Sequence, residues 1–201
     1  MKYIYCYLFI TAVGILGCKQ ISKPTKSATG SGFNIKKVKG LDTVEYINWY
    51  TAKINGDIHL ATLKKKLYNL IGRPDSIVKV NGTDGCAASY FDEDFKYIYI
   101  KGSEFELKDD SIVVSDLNFR GTNLKLSTNN LSLDSSTTLE SLKKIFPRAV
   151  SAQYEVTTNN KKQMAIMLGT SKKAIYGDTD NTWILFFEKG KLVEIEHHYD
   201  C

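Results

Sequence analysis

Apolar positions recur at helical spacing in two places along this chain. Leu63, Leu67, Leu70 and Ile71 fall on one helical face, with Thr62 placed to cap it and Gly72 and Pro74 to end it. About 75 residues later, Leu139, Leu142, Ile145 and Phe146 repeat that face. There Thr137 and Glu140 have capping-box spacing, and Pro147 stands as the stop. Alternation of apolar and polar residues follows each helix and predicts strands. After the first helix these cover 77–80, 87–91, 96–100, 104–107 and 112–119. After the second come 150–156, 163–168 and a hairpin of 183–188 with 191–199, turning at Lys189-Gly190. The pattern predicts an α+β fold of two tandem units, 40–125 and 126–201, each a short helical segment packed on an antiparallel sheet.

Register decides which strand faces are buried. With a two-residue turn, Phe186 faces Val193 and Ile184 faces Ile195, an apolar set suited to the core. The opposite face then carries Trp183, Leu185 and Phe187 beside Leu192, Glu194, Glu196 and His198. Large aromatics mixed with charge are the composition of a binding surface. Residues 96–100 alternate similarly, with Ile98 and Ile100 for the core and Tyr97 and Tyr99 on the other side. The expected partner-binding residues are therefore Trp183, Phe187, Tyr97, Tyr99 and His198. The competing reading is that aromatics simply favour strands, or that another layer covers them.

The amino-terminal pattern gives an address. Lys2, the apolar run Leu8 to Leu16 and the small residue Gly17 have the layout of a signal peptide over residues 1–17. Lys19 interrupts the run before the roughly 20 apolar residues that a spanning helix needs. The order Ile15-Leu16-Gly17-Cys18 resembles the lipobox of bacterial lipoproteins. That resemblance implies cleavage before Cys18, lipid on its thiol and an acylated (palmitate-type) amino terminus. The mature chain would be lipid-anchored in the cell envelope. Lys19 stands where Asp would favour the inner membrane, so the resemblance favours the outer membrane. Residues 18–39, rich in Lys, Ser, Thr and Gly, then read as a flexible tether.

Composition narrows the partners. The chain has 27 basic and 22 acidic residues, a net charge of +5, with the signs interspersed. No concentrated Lys/Arg stripe marks a nucleic-acid binder. Of four cysteines, Cys6 leaves with the signal and Cys18 carries lipid. Cys86 and Cys201 remain in an oxidising compartment and are expected to pair, a bridge that would contribute about 4–5 kcal/mol by loop closure.

The helix and its exit, "LKKKLYNLIGRPDS", look like the corresponding segment of the small outer-membrane assembly lipoproteins, SmpA/OmlA-like. A tandem of two such units is similar to the beta-lactamase inhibitor protein fold, over about 58–120 and 131–199. The second half departs from this, with Phe146-Pro147-Arg148 in place of Gly-x-Pro-Asp. The resemblance implies a non-enzymatic protein that binds other proteins with its sheet.

No reactive constellation competes with that reading. His197 and His198 are neighbours on one strand and point opposite ways, and His59 lies far off in sequence. Zinc spacings are absent. Cys86, in "NGTDGCAASYF", lacks the local signature of a nucleophile and has Cys201 as an oxidation partner. Asp178, Asp180 and Thr182 alternate as in a calcium loop, but Trp183 stands where glycine is required. No cofactor, metal or catalytic residue is expected. The alternatives are a structural or assembly subunit of an outer-membrane complex and, further off, a hydrolase with a dispersed site.

Overall fold

Two-residue turns and β-rich sequence generate most of this architecture. The computed structural model describes residues 45–80, 89–91, 94–158, 161–172 and 181–199. The signal segment, Cys18, the tether, Cys86 and Cys201 lie outside the described residues. In chain order the elements are β1 (Lys53–Ile54), β2 (Ile58–His59), β3 (Ala61–Leu63), α1 (Lys64–Ile71), β4 (Ser76–Lys79), β5 (Lys96–Ile100), β6 (Ser103–Lys108) and β7 (Ser111–Asn118). There follow β8 (Leu126–Ser127), β9 (Ser132–Leu133), α2 (Leu139–Lys143), α3 (Pro147–Ser151), β10 (Tyr154–Thr158), β11 (Lys161–Gly169), β12 (Thr182–Glu188) and β13 (Lys191–His198).

The fold is a sheet-rich α+β arrangement. A nine-stranded antiparallel sheet runs β10-β11-β12-β13-β7-β6-β5-β4, with β3 added beside β7. Pairing of β13 with β7, through Ile195 opposite Leu117, joins strands of the two sequence halves. A second sheet of two-residue strands runs β2-β1-β8-β9. The buried apolar residues of both halves form one core, holding Leu67 and Ile71 of α1, Leu142 of α2, Ala149 and Val150 of α3, and Phe105, Leu117, Trp183 and Ile195 of the large sheet.

Several local expectations are corrected. Thr62 does not cap α1; it lies in β3, and Leu63 is the N-cap, with no side-chain bond. The capping box at α2 is formed by Thr138 and Ser141, one residue beyond Thr137 and Glu140. The Thr137 hydroxyl instead accepts the Asp134 N–H at 3.0 Å. Pro147 opens α3 rather than simply stopping the helix before it: at the first helical position its missing N–H costs nothing and its φ is already set. The strand expected from 150 thus begins at Tyr154. Ser89–Phe91 are not strand, because the Tyr90 and Phe91 N–H groups donate to the Glu106 carboxylate at 3.0 and 3.1 Å instead of to a neighbouring strand.

Residues Glu45–Trp49 form a strap against the end of β11. The Ile47 N–H donates to the Gly169 carbonyl, the Gly169 N–H to the Glu45 carbonyl, and the Trp49 N–H to the Thr170 carbonyl. The Trp183 indole N–H donates to the Ile47 carbonyl at 2.9 Å. The Glu45 carboxylate accepts the Arg148 and Ala149 N–H groups at 3.1 and 2.8 Å, satisfying helix-start donors of α3 that its N-cap, Phe146, leaves unmet.

Candidate functional site

The last hairpin sets which aromatics face outward. Lys189 and Gly190 turn with φ of 50° and 76°, the left-handed pair of a tight two-residue connection. Glu188 faces Lys191 and Phe187 faces Leu192. A bulge then adds Val193 to β13, so Phe186 faces Glu194, Leu185 faces Ile195 and Trp183 faces His197. The extra residue brings Leu192 and Ile195 to the same side, where an unbroken alternation would separate them. That side, with Trp183, Leu185 and Phe187, is the larger apolar set and becomes the core.

Trp183 is 0 % exposed and Phe187 is 1 % exposed. Their expected place on a partner-facing surface is therefore corrected. Ile184 and Phe186 point the other way and are half-buried. Tyr97, Tyr99 and His198 do lie on the outer face, each half-buried.

That face is organised in rows across the sheet. Tyr99 is opposite Glu104, Glu104 opposite Asp116, Asp116 opposite Glu196, and Glu196 opposite Ile184. Three carboxylates thus stand directly across from one another on β6, β7 and β13, an arrangement that costs stability when like charges are this close. A second row sets Tyr154 opposite Ala165, Ala165 opposite Phe186, Phe186 opposite Glu194 and Glu194 opposite Asn118. The face therefore has a carboxylate stripe flanked by Tyr97 and Tyr99 on one side and by Phe186 and Tyr154 on the other.

The electrostatics follow from this packing. Burial pushes the Tyr97 phenol up to about 12, and the charges of Glu104 and Glu106 add to the shift. Burial and then Glu104, by charge and hydrogen bond, raise Tyr99 as well. Tyr154 rises to about 12 through burial, with Glu196 adding to it. All three are neutral donors at physiological pH. Burial raises the Glu106 carboxyl, against the opposing pull of the Tyr90 and Phe91 N–H groups and the Ser115 hydroxyl. Glu106 is thus the staple that fastens residues 89–91, rather than part of an open surface. In the neighbouring row, Arg120 binds Glu188 at 2.8 Å and Glu194 at 3.1 Å. Within the stripe, His198 Nδ1 lies 3.3 Å from Glu196 Oε1 on the same strand.

His197 faces inward. Its ring stacks on Trp49 at 4.0 Å and also contacts Trp183 and Tyr199. Neither ring nitrogen has a hydrogen-bond partner among the described residues. Burial, with a smaller contribution from His198, lowers its pKa to about 3. Among the described residues no three His, Cys, Asp or Glu side chains are placed to hold a metal ion. Tyr154, Glu104 and Asp116 belong to the site without having been singled out in the sequence, Glu196 lies on the face where it was expected, and Phe186, expected in the core, is on the outer face instead. Alternation could have pointed to Tyr154, but the carboxylate row depends on long-range pairing. No protein-family model, no curated protein and no solved structure matches this chain.

Proposed function

We propose that this chain is a lipid-anchored protein of the bacterial cell envelope, held at the outer membrane through Cys18, that binds a protein partner on the outer face of its large sheet. The observation that carries the reading is the placing of half-buried aromatics, Tyr97, Tyr99 and Phe186, around the half-buried carboxylates Glu104 and Glu196, with Asp116 buried between those two. Aromatic rings supply contact area at low entropic cost, and neutral phenols donate hydrogen bonds. A partner that brings lysine or arginine side chains would complement Glu104 and Glu196 at the rim of that row. The two sequence halves, each a helix followed by antiparallel strands, are read as tandem copies of one unit, as in the beta-lactamase inhibitor protein fold, which the reading takes to bind other proteins with its sheet.

Two measurements test this. Mass spectrometry of the membrane fraction should find a mature chain that begins at acylated Cys18; a chain starting elsewhere with an unmodified Cys18 refutes the anchor. For the face, a photo-crosslinking residue at Tyr99 should capture a partner in intact envelopes, and one at Lys65 on α1 should not. Tyr97→Ala should then weaken the purified complex about 30-fold, the equivalent of roughly 2 kcal/mol for a lost aromatic anchor. Equal capture from both positions, or unchanged affinity in a folded Tyr97→Ala protein, places binding elsewhere.

A further inference from the structure

The two edges of the large sheet are finished differently. β10 ends one edge with threonines and a Glu155–Lys162 ion pair at 2.9 Å. β4 ends the other edge, pairs with β5 alone among the described residues, and has all four residues exposed. Ile77 is 55 % exposed and Val78 is 49 % exposed, one on each face of the sheet. An accessible edge with apolar side chains on both faces is a template for another strand. Lys79 also stands directly opposite Lys96, so β5 offers its charge repulsion rather than a partner.

The edge sequence is complementary to itself. Residues 75–79 read Asp-Ser-Ile-Val-Lys. Laid antiparallel on a second copy about Ile77, Ile77 meets Ile77, Ser76 meets Val78, and Asp75, one of whose carboxylate oxygens accepts the Lys101 N–H at 2.7 Å, meets Lys79 at both ends. A shift of the centre to Val78 sets Ile77 against Lys79 and loses both charge pairs. The Ile77-centred register also pairs residues of the same face, so a two-fold axis perpendicular to the sheet continues it from one copy into the next. We infer that β4 is a homodimer edge: a second copy of this chain adds its β4 antiparallel about Ile77, closed by Asp75–Lys79 pairs.

The test uses the full-length protein in detergent. Sedimentation equilibrium should show a reversible dimer whose formation is lost in Ile77→Lys. The exposed position of Ile77 lets that variant keep its denaturant midpoint. On mild oxidation Ile77→Cys should give a cross-chain disulfide mapped to position 77 in both copies, and Thr158→Cys on the opposite edge should not. A wild-type protein that stays monomeric, an association that Ile77→Lys leaves intact, or no disulfide between the two substituted positions would overturn the inference. These outcomes are distinguishable from those of the partner-binding face, because Phe186→Ala, on β12 and remote from β4, should weaken partner binding and leave the self-association unchanged.

Discussion

Trp183→Ala is expected to cost about 3–5 kcal/mol of folding free energy, the range for truncating a buried tryptophan. The indole is fully buried, stacks with Trp49 at 5.2 Å and donates to the Ile47 carbonyl. Removing it leaves a cavity in the shared core and frees the strap whose carbonyl it holds. For a domain with a total stability of about 5–15 kcal/mol, that loss takes at least about a fifth of it. Trp183→Phe, which keeps a ring but loses the indole N–H, should cost less. Urea unfolding followed by far-ultraviolet circular dichroism measures both. A Trp183→Ala protein with an unchanged midpoint would mean that the tryptophan is at the surface and that the bulge at Val193 is misassigned.

His197→Phe is expected to act in the opposite direction. Burial leaves two ring nitrogens without partners, each an uncompensated desolvation cost, whereas phenylalanine keeps the stacking on Trp49. The variant should therefore unfold at higher denaturant concentration at pH 7. The acid response should change too. His197 has a folded pKa of about 3 against an ordinary value of 6.5, so the unfolded chain binds more protons between those values. Its share of stability is complete above pH 6.5 and is lost as pH falls toward 3, by at most about 5 kcal/mol for a shift of this size. Comparing midpoints at pH 7, 6 and 5 isolates the histidine, because most carboxylates titrate lower. The prediction fails if wild type and His197→Phe lose stability in parallel over that range.

Much of the element list was legible because its periods are strong. α1 and the strands β5, β7, β11, β12 and β13 lie where alternation and helical spacing put them. What was not legible has physical causes. Strands of two residues, such as Lys53–Ile54 and Leu126–Ser127, are too short to have a period. Proline ends one helix and begins the next with equal ease, and at Pro147 tertiary contacts, including the Glu45 carboxylate, select the beginning. Local alternation does not reveal a single-residue bulge, yet Val193 decides which hairpin face is buried; its carbonyl accepts the Phe119 N–H at the end of β7. The carboxylate stripe was hidden for a related reason. Glu104 and Asp116 meet across the β6–β7 hairpin, in a register shifted by a bulge, but Glu196 joins them only because β13 docks beside β7.

The strap also determines how the body would respond to a pull from its amino-terminal side. Its attachments lie in series: Glu45 to Gly169 and the start of α3, Ile47 to Gly169 and the Trp183 indole, and Trp49 to Thr170. Tension arriving ahead of residue 45 loads the first attachment before the second and the second before the third. The strap would then peel stepwise, adding contour length while the nine-stranded sheet stays unstretched. Mechanically it is a buffer, because load from that side must pass these attachments before it reaches the strands that carry the outer face.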